Sequence, residues 1–265
     1  MHLPSDDIEI HYDVVGEGPD IVLLHPFPSD HHFWDPLAER LVSRYRLITF
    51  DLRGLGRSAP GAGIATMERH AEDLSRLCDH LAIGKAIFVG CSIGGYILFE
   101  AWRRFHVRFR ALVLADTRAE ADDDLARDSR LRSAEEVLLR GPDLFISALL
   151  PKLVGASTQR NRPDIFAAAR ATTAGATAPG IAAIQRGMAA RPDSLRTLTT
   201  IDVPTLIVGG EEDAATPPPV MQKLAGGIRN SEFHLIPAAG HFAAFERPND
   251  FARILLQFLD ALPSR

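Results

Sequence analysis

The chain has 265 residues, enough to bury a sizeable core, and its 46% apolar and 24% charged residues are the balance of an ordinary globular protein. A formal net charge of −5 with no basic block argues against nucleic acid as a partner, and only two cysteines, Cys78 and Cys91, argue against a disulfide framework. No apolar run approaches the ~20 residues that span a bilayer, and Met1 to Asp7 lacks the basic start and apolar run of a signal peptide, so a cytoplasmic protein without a membrane partner is expected.

In chain order, Ile8 to Val14 alternates apolar and polar residues, as an edge strand with one wet face does. Short apolar runs follow at Ile21–Leu24, Leu47–Phe50, Ala86–Val89, Ala111–Leu114, Thr205–Val208 and Phe233–Ile236. Several are continuous rather than alternating, which predicts strands of a parallel sheet buried on both faces. Between them, Met67, Ala71, Leu74, Cys78 and Leu81 form one apolar helical stripe that opens at Thr66, with Gly84 placed to end it. Near the C-terminus, Pro248 suits a first helical position, and Phe251, Ile254, Leu255, Phe258, Leu259 and Leu262 make a second stripe. Strands alternating with helices predict an α/β fold with a mostly parallel central sheet flanked by helices.

The rhythm breaks between about Asp116 and Arg196, a stretch rich in Ala and Arg that holds helix-like patches at Asp164–Ala171 and Ile181–Ala190 and no convincing strand. It reads as a helical cap inserted over the carboxyl ends of the strands, where open α/β sheets bind ligands. The expected organisation is therefore a core of residues 1–116 and 196–265 with a cap of residues 117–195. Within the cap, the charged run Ala119–Arg132 reads as a solvated helix face.

Chemistry concentrates at Val89-Gly90-Cys91-Ser92-Ile93-Gly94-Gly95. A G-x-S-x-G turn between an apolar strand and an apolar helix is a nucleophile elbow, which exposes the serine hydroxyl and aims a helix N-terminus at the place where an oxyanion would form. A hydroxyl needs a base, and the base needs an acid to orient it, in the chain order serine, acid, histidine. After Ser92, His241 follows the last strand in a Gly-His turn, and Asp213 follows the strand that ends at Val208. Glu211, Glu212 and Asp116 are the competing acids. The oxyanion needs backbone N–H groups, and those of Ile93 and of Phe27 in His25-Pro26-Phe27-Pro28 are the natural pair, since Pro26 has none. A rigid proline turn without that duty is the plainer reading of the same segment.

Three lookalikes are set aside. Gly54-Leu55-Gly56-Arg57-Ser58-Ala59 imitates a dinucleotide fingerprint, but Pro60-Gly61 follows where a helix should open. His25, His31 and His32 match no common metal-ligand spacing, and Asp30-His31-His32 reads as a solvated loop. The elbow turns Cys91 aside as a small filler rather than a nucleophile.

Together, His25 to Pro28, Asp51-Leu52-Arg53-Gly54-Leu55-Gly56-Arg57-Ser58, the elbow, Gly210 to Asp213 and Gly240-His241 make the chain resemble the α/β-hydrolase superfamily over nearly its whole length. Leu114 to Ala119 and Ala239 to Ala243 look like the branch of 3-oxoadipate enol-lactonase-like hydrolases and small-ester carboxylesterases. Pro26 departs from it, since the family usually has glycine there. The resemblance implies an esterase or lactonase that needs no metal or organic cofactor, with Ser92, His241 and Asp213 as a catalytic triad and a small ester or lactone as substrate. It also leaves open a carbon–carbon bond hydrolase or a cofactor-free perhydrolase on the same triad, and a ligand receptor of low turnover. Hydrolysis of short p-nitrophenyl esters separates enzyme from receptor, and hydrogen peroxide with acetate exposes a perhydrolase.

Overall fold

In the computed structural model, which describes residues 1–263, the strands are β1 (His2–Ser5), β2 (Ile8–Val15), β3 (Asp20–Leu24), β4 (Arg46–Phe50), β5 (Ala86–Cys91), β6 (Phe109–Ala115), β7 (Thr205–Gly210) and β8 (Ser231–Ile236). They form one sheet in the order β1-β2-β4-β3-β5-β6-β7-β8, antiparallel at β1/β2 and β2/β4 and parallel elsewhere. From β3 the chain steps outward to β4 and then returns to the other side of β3 as β5. The order therefore reverses at β3/β5, where the loops after those two strands splay apart and leave a crevice. Phe27 and Ser92 both emerge there.

Helices α1 (Asp35–Leu41), α2 (Met67–His80) and α3 (Ile93–Phe105) belong to the first half of the chain. Six more lie between β6 and β7, of which the first five are α4 (Asp124–Arg140), α5 (Pro142–Leu153), α6 (Ala156–Asn161), α7 (Pro163–Ala171) and α8 (Ala178–Ala189). The last are α9 (Leu195–Leu198), α10 (Pro218–Gly226), α11 (Ala243–Glu246) and α12 (Pro248–Asp260). Among the described residues, no helix is long and apolar enough to cross a membrane.

Why the strands read as continuous apolar runs is visible in where their residues go. Successive side chains of a strand point to opposite faces. Val22, Leu24, Ile48, Phe88 and Leu112 pack with α2 and α3, while Ile21, Leu23, Leu47, Ile87 and Val113 pack with α1 and α12. Both faces are thus covered, and β5 and β7 are buried throughout.

Three details depart from the sequence expectation. The Ile8–Val15 strand is not the edge, because His2–Ser5 pairs outside it, with Leu3 opposite Ile10. That short strand carries Pro4 and no apolar run, and proline is tolerated only where a ladder ends. Helix α2 starts at Thr66, whose side chain accepts from the Arg69 N–H (3.3 Å), but it ends at His80, and the reversal falls on Ala82 (φ +54°) rather than Gly84. The run read as a solvated face is partly interior just ahead of α4: the Asp122 side chain, 5% exposed, pairs with Arg191 (2.8 Å) and Arg130 (2.5 Å).

Burial also fixes the charge of two interior histidines. His70 on α2 is sealed, and neither ring nitrogen has a partner among the described residues. Burial, with Arg53 and His25 nearby, holds its pKa down to about 3, and burial holds that of His25 to about 4. A histidine kept neutral in the fold stabilises it fully above the unfolded value near 6.5, and that contribution is lost as pH falls toward the folded value. His70→Leu should therefore lose less stability than the wild type between pH 7 and pH 4.5. Urea midpoints at the two pH values measure this, and equal losses would show that folding does not lower the His70 pKa.

Candidate active site

Ser92 stands between β5 and α3 with φ +55° and ψ −114°, a conformation that side chains other than glycine rarely adopt. The strand and helix converge so closely here that flanking side chains have no room. A Cβ on Gly90 would lie 2.5 Å from the Gly94 carbonyl carbon, and one on Gly94 would lie 2.6 Å from the Leu24 carbonyl oxygen. The turn is held by the Ser92 N–H donating to the Ala115 carbonyl (2.9 Å) and by the Thr117 hydroxyl donating to the Ser92 carbonyl (2.8 Å). The side chain is left partly exposed, whereas that of Cys91 is sealed beneath it, and burial drives the Cys91 thiol far above its usual range.

The structure brings the three predicted polar residues into one chain of hydrogen bonds. Ser92 Oγ lies 2.8 Å from His241 Nε2, and His241 Nδ1 lies 2.9 Å from Asp213 Oδ2. Asp213 Oδ1 accepts from the Ala215 N–H (2.8 Å) and the Thr216 N–H (2.9 Å), and Oδ2 also accepts from the Thr216 hydroxyl. Burial pushes this carboxyl's pKa up, but the charge and hydrogen bond of His241, with the Thr216 donors, outweigh it and hold the value at about 2. Asp213 is therefore ionised at neutral pH. Its carboxylate fixes the Nδ1–H tautomer and turns the Nε2 lone pair toward the serine.

The competing acids lie elsewhere. Asp116 ends β6, accepts from the Gly210 N–H (2.9 Å) through Oδ1, and leaves Oδ2 without a partner. Burial, reinforced by the neighbouring Asp213, raises its pKa well above the usual carboxylate value, and its contact with Gly210 braces the start of the acid loop. Glu212 accepts from the N–H of Ser157 (2.8 Å) and from its hydroxyl, which ties the acid loop to α6. Glu211 is exposed.

Sequence reasoning missed Glu246. This buried carboxylate accepts from the Gly240 N–H (2.9 Å), next to His241, and from the Gly155 N–H (3.0 Å) in the segment between α5 and α6. The His241 N–H donates to the Leu153 carbonyl (2.8 Å) in the same segment. The histidine loop is thus pinned from both sides. A glutamate at the end of a four-residue helix, just ahead of Pro248, carries no motif that announces this role.

Phe27 and Ile93 are both buried, and no acceptor among the described residues takes up either backbone N–H. The Phe27 ring meets Phe145 of α5 edge-on, with centroids 5.9 Å apart. Phe145 in turn lines a cavity of about 550 Å³ between α4 and α5, with Val137, Leu144, Ala148 and Leu149 among its apolar walls. Ser92 and His241 do not line that cavity. Elsewhere between β6 and β7, Leu150 and Ile181 are core, and Phe166 packs against the core formed with α12.

The metal-like trio also separates. His25 Nε2 accepts from the Leu52 N–H (3.0 Å) in the interior. His31, expected in a solvated loop, is buried in the short turn His31–Trp34 and bonded to Asp51 (2.7 Å), whereas His32 is exposed.

A twisted, mostly parallel sheet with a serine elbow at its switch point defines a class, and comparison with known proteins agrees. Residues 19–248 match the family model described as the alpha/beta hydrolase fold, and the chain belongs to that family. It is similar to a thermophilic esterase from Thermogutta terrifontis, at 38% identity and a TM-score of 0.94 over 97% of this chain and 95% of that one. It also resembles the enol-lactonase of Burkholderia xenovorans, at 26% identity and a TM-score of 0.91 over 98% of this chain and 100% of that one. Among curated sequences, 3-oxoadipate enol-lactonase 1 of Acinetobacter baylyi is 27% identical over 92% of this chain and 90% of its own length. The protein is thus a hydrolase of the branch that holds esterases and enol-lactonases.

Proposed function

We propose that the protein is a serine hydrolase that cleaves small carboxylic esters or lactones through an acyl-enzyme on Ser92. The observation that carries this reading is the unbroken relay from Ser92 Oγ through His241 to Asp213, at 2.8 and 2.9 Å, on a strained elbow. His241 Nε2 takes the hydroxyl proton as Oγ attacks the substrate carbonyl, and the ionised Asp213 stabilises the imidazolium that forms. The N–H groups of Ile93 and Phe27, which no protein acceptor occupies, stabilise the tetrahedral oxyanion, with the positive end of α3 behind it. His241 then protonates the leaving alkoxide, and water deacylates Ser92 by the same path reversed. In this reading residues 117–195 act as the cap, and residues 1–116 and 196–265 as the core.

Ser92→Ala should cut hydrolysis of a short p-nitrophenyl ester by roughly 10³-fold or more while the fold is kept, since only a hydroxyl is lost. An organophosphonate should label the wild type at Ser92. Labelling that persists in Ser92→Ala would show that another residue is the nucleophile.

Asp213→Asn should lower kcat by roughly 10²–10⁴-fold, because the imidazole loses its orienting charge. Asp116→Asn should cost far less, since Asp116 does not touch His241 and an amide oxygen keeps the Gly210 contact. Near-normal activity of the first variant with collapse of the second would reverse the assignment of the acid.

The apolar contact of Phe145 in the cap with Phe27, next to Ser92, suits short or medium acyl groups. An ester series from acetyl to palmitoyl, read below and above the solubility limit, should peak at short chains and show no jump on emulsification. A maximum at palmitoyl or a rate jump at the interface would make the protein a lipase.

A further inference from the structure

We infer that His11, Asp13 and His31 form a binding site for one divalent transition-metal ion of the zinc type, apart from the serine relay. One ring nitrogen from each histidine and one Asp13 oxygen all lie within 4.8 Å of one another. His31 Nε2 and Asp13 Oδ2 are 3.3 Å apart. That is about the separation of two ligands each ~2.0–2.1 Å from a tetrahedral ion. Asp13, with 47% of its side chain exposed, can rotate to close the remaining distance, and water completes the shell.

Three observations make this more than a chance cluster. His31 reaches the site with its other nitrogen, Nδ1, held by Asp51 at 2.7 Å, the carboxylate–histidine arrangement that orients a metal ligand. His11 is 3% exposed, and its Nδ1 has no partner among the described residues, a cost that an ion at that atom would offset. The donors also come from two separate segments, β2 and the turn His31–Trp34, which an ion would tie together. Two imidazoles and one carboxylate favour a borderline ion such as zinc over magnesium or calcium.

Other charges share the neighbourhood. Arg57 Nη1 lies 3.5 Å from His11 Nε2, and the Met1 amine lies 3.6 Å from Asp13 Oδ1, both on exposed residues. Burial disfavours a charged His31, but its hydrogen bond to Asp51 and the nearby Asp51, Asp30 and Asp13 charges raise its pKa overall. A proton on Nε2 is thus the competitor that the ion must displace, and binding releases it to solvent.

The test is titration of chelator-treated, tag-free protein with Zn²⁺ by calorimetry, with thermal unfolding alongside. The wild type should bind one equivalent, and at 100-fold above Kd its Tm should rise by roughly 5 °C or more. His11→Gln and Asp13→Asn should each weaken binding at least about 10-fold, while His234→Gln, which removes the His234–Glu232 pair on β8 at the far edge of the sheet, should leave it unchanged. The Asp13 side chain is half exposed, so Asp13→Asn tests the site even where His11→Gln perturbs folding. Absence of saturable binding, or binding lost in His234→Gln and kept in Asp13→Asn, would overturn the assignment.

Discussion

The close approach of β5 to α3 is the constraint on which the rest of the site depends. Gly90 and Gly94 let the strand and helix meet with backbone against backbone, and that contact forces Ser92 into the left-handed region. The strain costs on the order of 1–3 kcal/mol and persists only because the surroundings over-determine it. Leu24 presses on Gly94 from β3, Ala115 accepts the serine N–H from β6, and Thr117 caps the serine carbonyl. Both strands flanking β5 therefore take part, so the elbow is a property of the sheet's centre.

Around that rigid point the fold uses buried carboxyl groups as receptors for backbone N–H groups. Glu246 joins Gly240 to Gly155, Asp116 holds Gly210, and Asp213 gathers the N–H groups of Ala215 and Thr216. Their environments set them apart. Asp213 has a histidine to neutralise it and stays ionised, whereas burial without a cationic partner raises Asp116. The pKa values of two aspartates at the ends of neighbouring strands are thus shifted in opposite directions, and only Asp213 reaches the imidazole.

The helices between β6 and β7 are tied to the same loops. Leu153 accepts from the His241 N–H, Glu212 accepts from Ser157, and Phe145 lies against Phe27. The segment that shapes the cavity is thereby coupled to the loops carrying the histidine, the acid and one candidate oxyanion donor.

Periodicity and turn chemistry alone located the parallel sheet, the elbow at Ser92 and the stretches holding Asp213 and His241. These signals are local: buried strands read as apolar runs, and a serine between two glycines reads as a tight turn. The sequence could not show β1, whose His-Leu-Pro-Ser has no apolar pattern and becomes a strand only because Leu3 meets Ile10. Chain order favoured Asp213 over Asp116, but both follow strands, and three-dimensional distance is what separates one that touches His241 from one that touches Gly210. Glu246 and the His11–Asp13–His31 cluster lay further still from view. Their partners are distant in the chain or contributed by antiparallel pairing, so no spacing in the sequence encodes them, and the fold alone brings them together.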